Sequence, residues 1–308
     1  MTVTKPKNIA LLGGTGRVGG WVLESCLEEG CNVRALCRNA SKVSHLIEKH
    51  GKANADDGGK LVVVEGDAMN EASIQELLKV HDHDNGNSVV DVIISTLGSP
   101  SNATLIVEKS AKVLVSVLTE IYNEKMKKAN DSQSDTNSLT MPRIIWMTST
   151  GINEATDQAK MYPLWGKPSK WFFGYGFFGW LQFKILIPYI IGQDLWDDMG
   201  KSELVFRGES PSNSNGGDSS PPLPDVIKNH TVLVRPTNMH PVSELETFSD
   251  GWRKEGGTNT QYQLVKATDP PSGKWITRRA ISTAILDLVM DETLDGTAVS
   301  VFQQGKVE

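Results

Sequence analysis

Cysteine is scarce in this chain. Cys26, Cys31 and Cys37 are the three among 308 residues, all near the start. An odd count with no paired framework argues against a disulfide scaffold and predicts reduced thiols, hence a cytoplasmic setting. A basic excess is missing too. Lys and Arg number 31 against 37 Asp and Glu, a formal charge of −6, whereas a nucleic-acid partner requires a basic face. The first apolar run begins near residue 8, so no signal or transit peptide is expected ahead of it. No internal repeat is present.

An acid is also lacking where one kind of site would need it, and that absence takes its meaning from the stretch before it. Residues 13–20 read GGTGRVGG. Ahead of them stands NIALL, an apolar run of strand length. Behind them Val18, Val22 and Cys26 recur at helical spacing, with Leu23 and Leu27 one step round, and Gly30 sits where a helix ends. NVRALC then reads as a second strand. The glycines therefore join strand to helix inside a β-α-β unit of about thirty residues, the context a dinucleotide fingerprint requires. Two registers fit: Gly14-x-Gly16-x-x-Gly19 and Gly13-x-x-Gly16-x-x-Gly19. In either, one glycine permits the turn, one lets a pyrophosphate approach the backbone, and one lets helix and strand pack closely. The helix N-terminus supplies free N–H groups to the phosphates. The alternative is a glycine-rich turn that merely packs.

An NAD site places Asp or Glu at the end of the second strand to bond the ribose 2′-hydroxyl. No acidic residue occurs between Cys31 and Ile47; Arg38 follows the strand instead. Its guanidinium suits a 2′-phosphate, and Arg17 in the glycine loop can reach the same group. These residues favour NADP(H) over NAD, against the reading of both arginines as solvated surface.

Strands and helices continue to alternate. Predicted helices are NASKVSHLIEKH, EASIQELLKVH, TLIVEKSAKVLVSVLTEIYNEKMKK, DLWDDMGKSELVFRGE and ITRRAISTAILDLVMDE. Predicted strands are LVVVEGD, SVVDVIISTLG, PRIIWMTSTG, TVLVRP, QYQLVKA and AVSVFQQ, with TNMHPVSELETFSDGWRKEGG irregular. The pattern predicts an α/β, doubly wound, mainly parallel Rossmann-like sheet with helices on both faces. One domain is expected over 1–308, with 151–230 an insertion and flexible loop on the substrate side. Polar stretches at 51–59, 129–138 and 209–224 read as loops.

GGTGRVGG, VRALCRN, VEGD, VIISTLG, IIWMTSTG, WDDMGKSE, TVLVRPTNM and ITRRAIS, in that order, resemble the atypical short-chain dehydrogenase/reductases. That branch includes NmrA-like NADP-binding proteins and biliverdin-IXβ/flavin reductases. The resemblance covers nearly the whole chain and is weakest over 151–192. It implies a cofactor across the carboxyl ends of the strands, with Gly13, Gly14, Thr15, Gly16, Val18 and Gly19 in the pyrophosphate loop. Arg17 and Arg38 would take the 2′-phosphate, and Asp67 and Ala68 would flank the adenine. Thr96, Leu97 and Gly98 would line the ribose and nicotinamide side. Thr148, Ser149, Pro236 and Thr237 would stand at the nicotinamide rim.

Ordinary members of the wider family use a Tyr-x-x-x-Lys pair. Tyr162, Tyr175 and Tyr189 lack the lysine, and the one match, Tyr262 with Lys266, falls in a late strand. There the two side chains lie about 13 Å apart. Lys201 stands where the family's helix nears the cofactor, either touching ribose hydroxyls or solvated. Ser149 is the best side chain for orienting substrate. Without the tyrosine, the resemblance implies hydride transfer to a planar conjugated or carbonyl acceptor of flavin, quinone or tetrapyrrole type. Two rival readings are an NADP-binding redox sensor without turnover and a membrane-associated NADP-binding assembly protein. The last rests on residues 171–192, WFFGYGFFGWLQFKILIPYIIG. Their length is near that of a membrane span, but Gln182, Lys184, Pro188 and four glycines argue against spanning. A substrate lid, a dimer surface, a helix lying on a membrane and a packed insertion stay open. His81-Asp-His83-Asp suggests a metal only superficially. Read as a helix end, its histidines face apart, and no metal is expected.

Overall fold

The computed structural model describes residues 7–50, 59–82, 86–99, 104–131, 140–149, 193–209, 223–239, 262–266 and 275–302. Residues 171–192, most of the three polar stretches, His83, His240, Tyr162, Tyr175 and Tyr189 lie outside them.

The chain opens with β1 (Asn8–Leu12), α1 (Gly19–Glu28) and β2 (Asn32–Cys37). A short 3-10 turn over Ala40–Val43, capped by Asn39, leads into α2 (Ser44–His50). Then come β3 (Leu61–Glu65) and α3 (Glu71–Leu78), the latter capped by Asn70 accepting from the Ser73 N–H. A hairpin of β4 (Lys79–Asp82) and β5 (Gly86–Val89) precedes β6 (Val92–Ser95) and the 25-residue α4 (Val107–Asp131). Next are β7 (Arg143–Met147), α5 (Gln193–Arg207), α6 (Asp225–Asn229) and β8 (Thr231–Pro236). The remaining elements are β9 (Asn238–Met239), β10 (Gln263–Lys266), β11 (Trp275–Ile276), α7 (Arg278–Met290) and β12 (Ala298–Phe302).

Eight strands form one sheet in the order β10-β12-β8-β7-β6-β1-β2-β3. Every pairing in it is parallel except β10 with β12. The expected doubly wound sheet is therefore the fold. Strand order runs outward from β1 through β2 to β3, then restarts on the other side of β1 at β6. That reversal leaves a crevice between the carboxyl ends of β1 and β6.

Alternation of side chains builds two cores. Ile9, Leu11, Val33, Ala35, Val92, Ile94, Ile145, Val232 and Val234 face α1 and α7. Their neighbours Ala10, Leu12, Leu36, Ile93, Ile144, Trp146 and Leu233 face α3, α4 and α5. Trp146 packs its ring on Phe206 of α5 at 4.8 Å between centroids. Both faces are buried, which explains the near-continuous apolar strands. At the far edge of the sheet Arg143, 4% exposed, seals the end of α7. It donates to the carbonyls of Leu288 (2.6 Å) and Asp291 (2.8 Å) and pairs with the Asp295 carboxylate.

Four sequence expectations are corrected. EASIQELLKVH is helical only to Leu78; Lys79 turns extended, at φ −73° and ψ 129°, and KVHD pairs antiparallel with GNSV. As a sequence signal, DNGN favours a hairpin over continuation of the helical period. SVVDVIISTLG accordingly divides into β5 and β6. The break falls at Asp91, whose carboxylate accepts the Asn8 N–H at 2.7 Å. His81 therefore lies on a strand, so the argument that the two histidines face apart on a helix fails. Among the described residues no group of three or more His, Cys, Asp or Glu gathers as for a metal. The stretch after β8 is not wholly irregular, since Asn238 and Met239 pair with Trp275 and Ile276. No helix among the described residues is long and apolar enough to cross a membrane.

Candidate cofactor site

The glycine loop connects β1 to α1 at the crevice. Gly13 adopts φ +84°, and a β-carbon there would lie 2.9 Å from the Thr96 hydroxyl. Its carbonyl accepts the Gly16 N–H at 2.8 Å. Gly19 opens α1 and is tighter still: a β-carbon would stand 2.0 Å from the Gly13 carbonyl oxygen. The register that runs Gly13, Gly16, Gly19 thus carries the turn and the close helix approach. Gly14 is buried against Leu11 and Ala35, and Val18 is buried in the core.

The N-terminus of α1 carries no side-chain anion. Val18 provides no side-chain cap, and the first turn holds no acidic residue. The amides and the helix dipole there favour a bound phosphate. The cradle that the glycines leave and this uncapped helix end fit a pyrophosphate. The α4 N-terminus differs. Asp198 of α5 fills it, accepting the N–H groups of Val107 (3.0 Å) and Glu108 (2.8 Å).

An open groove of about 160 Å³ runs from the glycine loop toward β3. Gly13, Thr15, Gly16, Arg38, Asp67, Ala68, Thr96, Leu97 and Gly98 line it, all expected from sequence. Leu36, Gly66, Met69, Thr104 and Ile106 complete it and were not foreseen. Arg38 is exposed at the end of β2, and among the described residues it has no ion-pair partner. Asp67 spends one carboxylate oxygen on the Met69 N–H at 2.8 Å. Thr96 is pinned to β1, its N–H and its hydroxyl both donating to the Leu12 carbonyl. The described lining comes from the ends of β1, β2, β3 and β6, not of β7 or β8. Thr96, Leu97 and Gly98 therefore share a wall with the adenine-side residues rather than with Thr148 and Pro236. Arg17 is exposed in the loop and does not line the groove.

The ends of β7 and β8 lie along the same sheet edge. Thr148 is buried and donates its hydroxyl to Glu203 of α5 at 2.6 Å. Glu203, 1% exposed, also pairs with Arg235 of β8 and, at 3.3 Å, with Arg207. Ser149 follows, half-buried. Pro236 is buried at the end of β8, and the next hydroxyl, Thr237 Oγ1, is buried with no hydrogen-bond partner among the described residues. Lys201 is half-buried on α5 between Asp198 and Glu203. Tyr262 is not placed as a proton donor. Its hydroxyl donates to the Asp287 carboxylate on α7, and burial and that carboxylate push its pKa up.

Asp198 and Glu203 were not singled out in the sequence. A signal for Glu203 was present, since Arg235 interrupts a strand buried on both faces and so requires a carboxylate.

Residues 13–175 match the NAD(P)H-binding family, more than half of the chain, and the protein belongs to that family. This agrees with the resemblance drawn from its motifs. No curated protein matches it. Among solved structures it is similar to a short-chain dehydrogenase/reductase from Veillonella parvula in complex with NADP. Identity there is 14% and the TM-score 0.56, covering 98% of this chain and 96% of that one. A putative NADH-flavin reductase from Streptococcus pneumoniae is similar at 13% identity and TM-score 0.53, over 97% and 100% of the two chains. An anaerobillin reductase from Escherichia coli O157:H7 is similar at 14% and 0.53, over 98% and 99%. At these identities the likeness is one of fold.

Proposed function

We propose that this protein is an NADPH-dependent oxidoreductase acting on a planar conjugated or carbonyl acceptor of flavin, quinone or tetrapyrrole type. The observation that carries the cofactor choice is Arg38. It lines the groove at the end of β2, where an NAD site would hold a carboxylate. Arg38 would hold the 2′-phosphate, the groove residues would hold the adenosine half, and the uncapped end of α1 would hold the pyrophosphate. Thr148, Ser149 and Pro236 would serve the nicotinamide half. When bound, the cofactor supplies a hydride, two electrons with one proton. Ser149 orients the acceptor, Lys201 reaches the ribose hydroxyls, and solvent provides the second proton. The reductase names of the two neighbours from Streptococcus and Escherichia support a conjugated acceptor.

Titration with NADPH and NADH, followed by nicotinamide fluorescence, tests the cofactor. Arg38→Ala is expected to weaken NADPH by about tenfold or more, the worth of a charge-assisted hydrogen bond, and to leave NADH unchanged. Equal binding of both cofactors by the wild type would overturn the NADP assignment. Oxidation of NADPH with a panel of flavins, quinones and tetrapyrroles then separates an enzyme from a redox sensor, which binds without turnover.

A further inference from the structure

Asp198 is 2% exposed, yet it lies on α5, outside the groove and outside the hydride-transfer rim. Its carboxylate gathers three donors. Val107 and Glu108 offer the free N–H groups of the first turn of α4 at 3.0 and 2.8 Å, and the Ser99 hydroxyl donates at 2.5 Å. The Ser99 oxygen in turn accepts the Ile106 N–H at 3.0 Å. One carboxylate thus ties both ends of the chain between Ser99 and Val107. Those ends form a wall of the groove: Gly98 precedes Ser99, and Ile106 precedes Val107. Across the groove stand Ala68 and Met69, after β3.

We infer that Asp198, acting through Ser99, is a positioning residue for the adenosine half of the cofactor. This rests on the NADP(H) reading above. Gly98 and Ile106 line the groove, and each is the chain neighbour of a residue, Ser99 or Val107, that the Asp198 carboxylate holds. That carboxylate therefore helps to fix where the two lining residues stand relative to Ala68 and Met69. A carboxylate can accept all three donors at once because it has two oxygens and no hydrogen to offer. An amide in its place must turn one end toward a donor that it cannot accept from. Ser99 isolates the tether from the helix cap, since its removal leaves Asp198 on the Val107 and Glu108 amides.

The test is calorimetric titration of the full chain with 2′,5′-ADP, which carries the adenosine and 2′-phosphate but no nicotinamide, and with NADPH. Ser99→Ala and Asp198→Asn are expected to weaken both ligands by the same factor, about tenfold. Ser99→Thr, which keeps the hydroxyl, should restore affinity. Arg143→Lys, at the opposite edge of the sheet, controls for general destabilisation and should bind both ligands as the wild type does. Unchanged 2′,5′-ADP affinity in Ser99→Ala and Asp198→Asn would overturn the inference, as would an equal loss in Arg143→Lys. A wild type that binds neither ligand would instead overturn the NADP(H) reading itself, and the inference with it.

Discussion

Replacing Gly19 by alanine sets two effects of opposite sign against each other. In a helix, alanine is favoured over glycine by about 1 kcal/mol. Here the added β-carbon would sit 2.0 Å from the Gly13 carbonyl oxygen and 2.6 Å from the Thr96 hydroxyl. Neither neighbour is a flexible chain end. The Gly13 oxygen already accepts the Gly16 N–H at 2.8 Å, and the Thr96 hydroxyl is held on the Leu12 carbonyl at 3.2 Å. Relief requires α1 to withdraw from the loop, although nine of its ten residues are buried. Overpacking of this kind costs about 1–3 kcal/mol or more, and contact with backbone puts it at the upper end. The net is a loss of about 2 kcal/mol, and a fall in melting temperature of about 4–8 °C. The same withdrawal carries the α1 amides away from the pyrophosphate, so NADPH affinity should fall at least about tenfold. Gly98→Ala is the control, because a β-carbon there meets nothing within 4 Å; its stability should change by less than about 0.5 kcal/mol. Thermal denaturation and NADPH titration of the two variants read both quantities. A Gly19→Ala protein that melts at or above the wild type with full NADPH affinity would refute the close-approach argument.

Three further outcomes follow from groups away from the groove. Arg143→Ala removes one member of a buried pair and strands Asp295 with the Leu288 and Asp291 carbonyls, so urea denaturation should show a loss of about 3–5 kcal/mol. Tyr262 has its pKa raised by burial and by Asp287, so its stabilising contribution is complete below the ordinary phenol value of 10.0 and fades as pH rises beyond it. Between pH 10 and 12 the wild type should therefore lose stability more steeply than Tyr262→Phe, and parallel curves would contradict this. All three cysteines are buried, and burial raises the thiol pKa of Cys31 and Cys37. A thiol reagent at pH 8 should find none in the native protein and three after denaturation.

Much of the nucleotide-binding half was legible because it is local. Strand, glycine turn, helix and strand follow one another between Asn8 and Cys37, and each carries its own periodicity or turn signal. The groove residues at the strand ends were legible for a related reason. Once the strands are known to be parallel, their carboxyl ends must share an edge, and Arg38, Asp67 and Thr96 fall there without further information. The hairpin at β4 and β5 was misread because the apolar period of α3 seemed to continue through Lys79 and Val80, and the following DNGN was not given its weight as a turn.

Helix α5 marks the limit of local reading. Its sequence, QDLWDDMGKSELVFR, presents charges on several sides, as a solvated helix does, yet Asp198 and Glu203 are among the most buried carboxylates described. Their partners lie 91 and 55 residues earlier in the chain, at Val107 and Thr148. No periodicity within the helix can register bonds of that separation. The consequence concerns function as well as packing. α1 begins at the glycine turn after β1, and α4 begins beside the groove at Ile106. Asp198 fills the α4 end with its own carboxylate, whereas α1 carries no side-chain cap, and the proposed phosphate site at α1 rests on that difference.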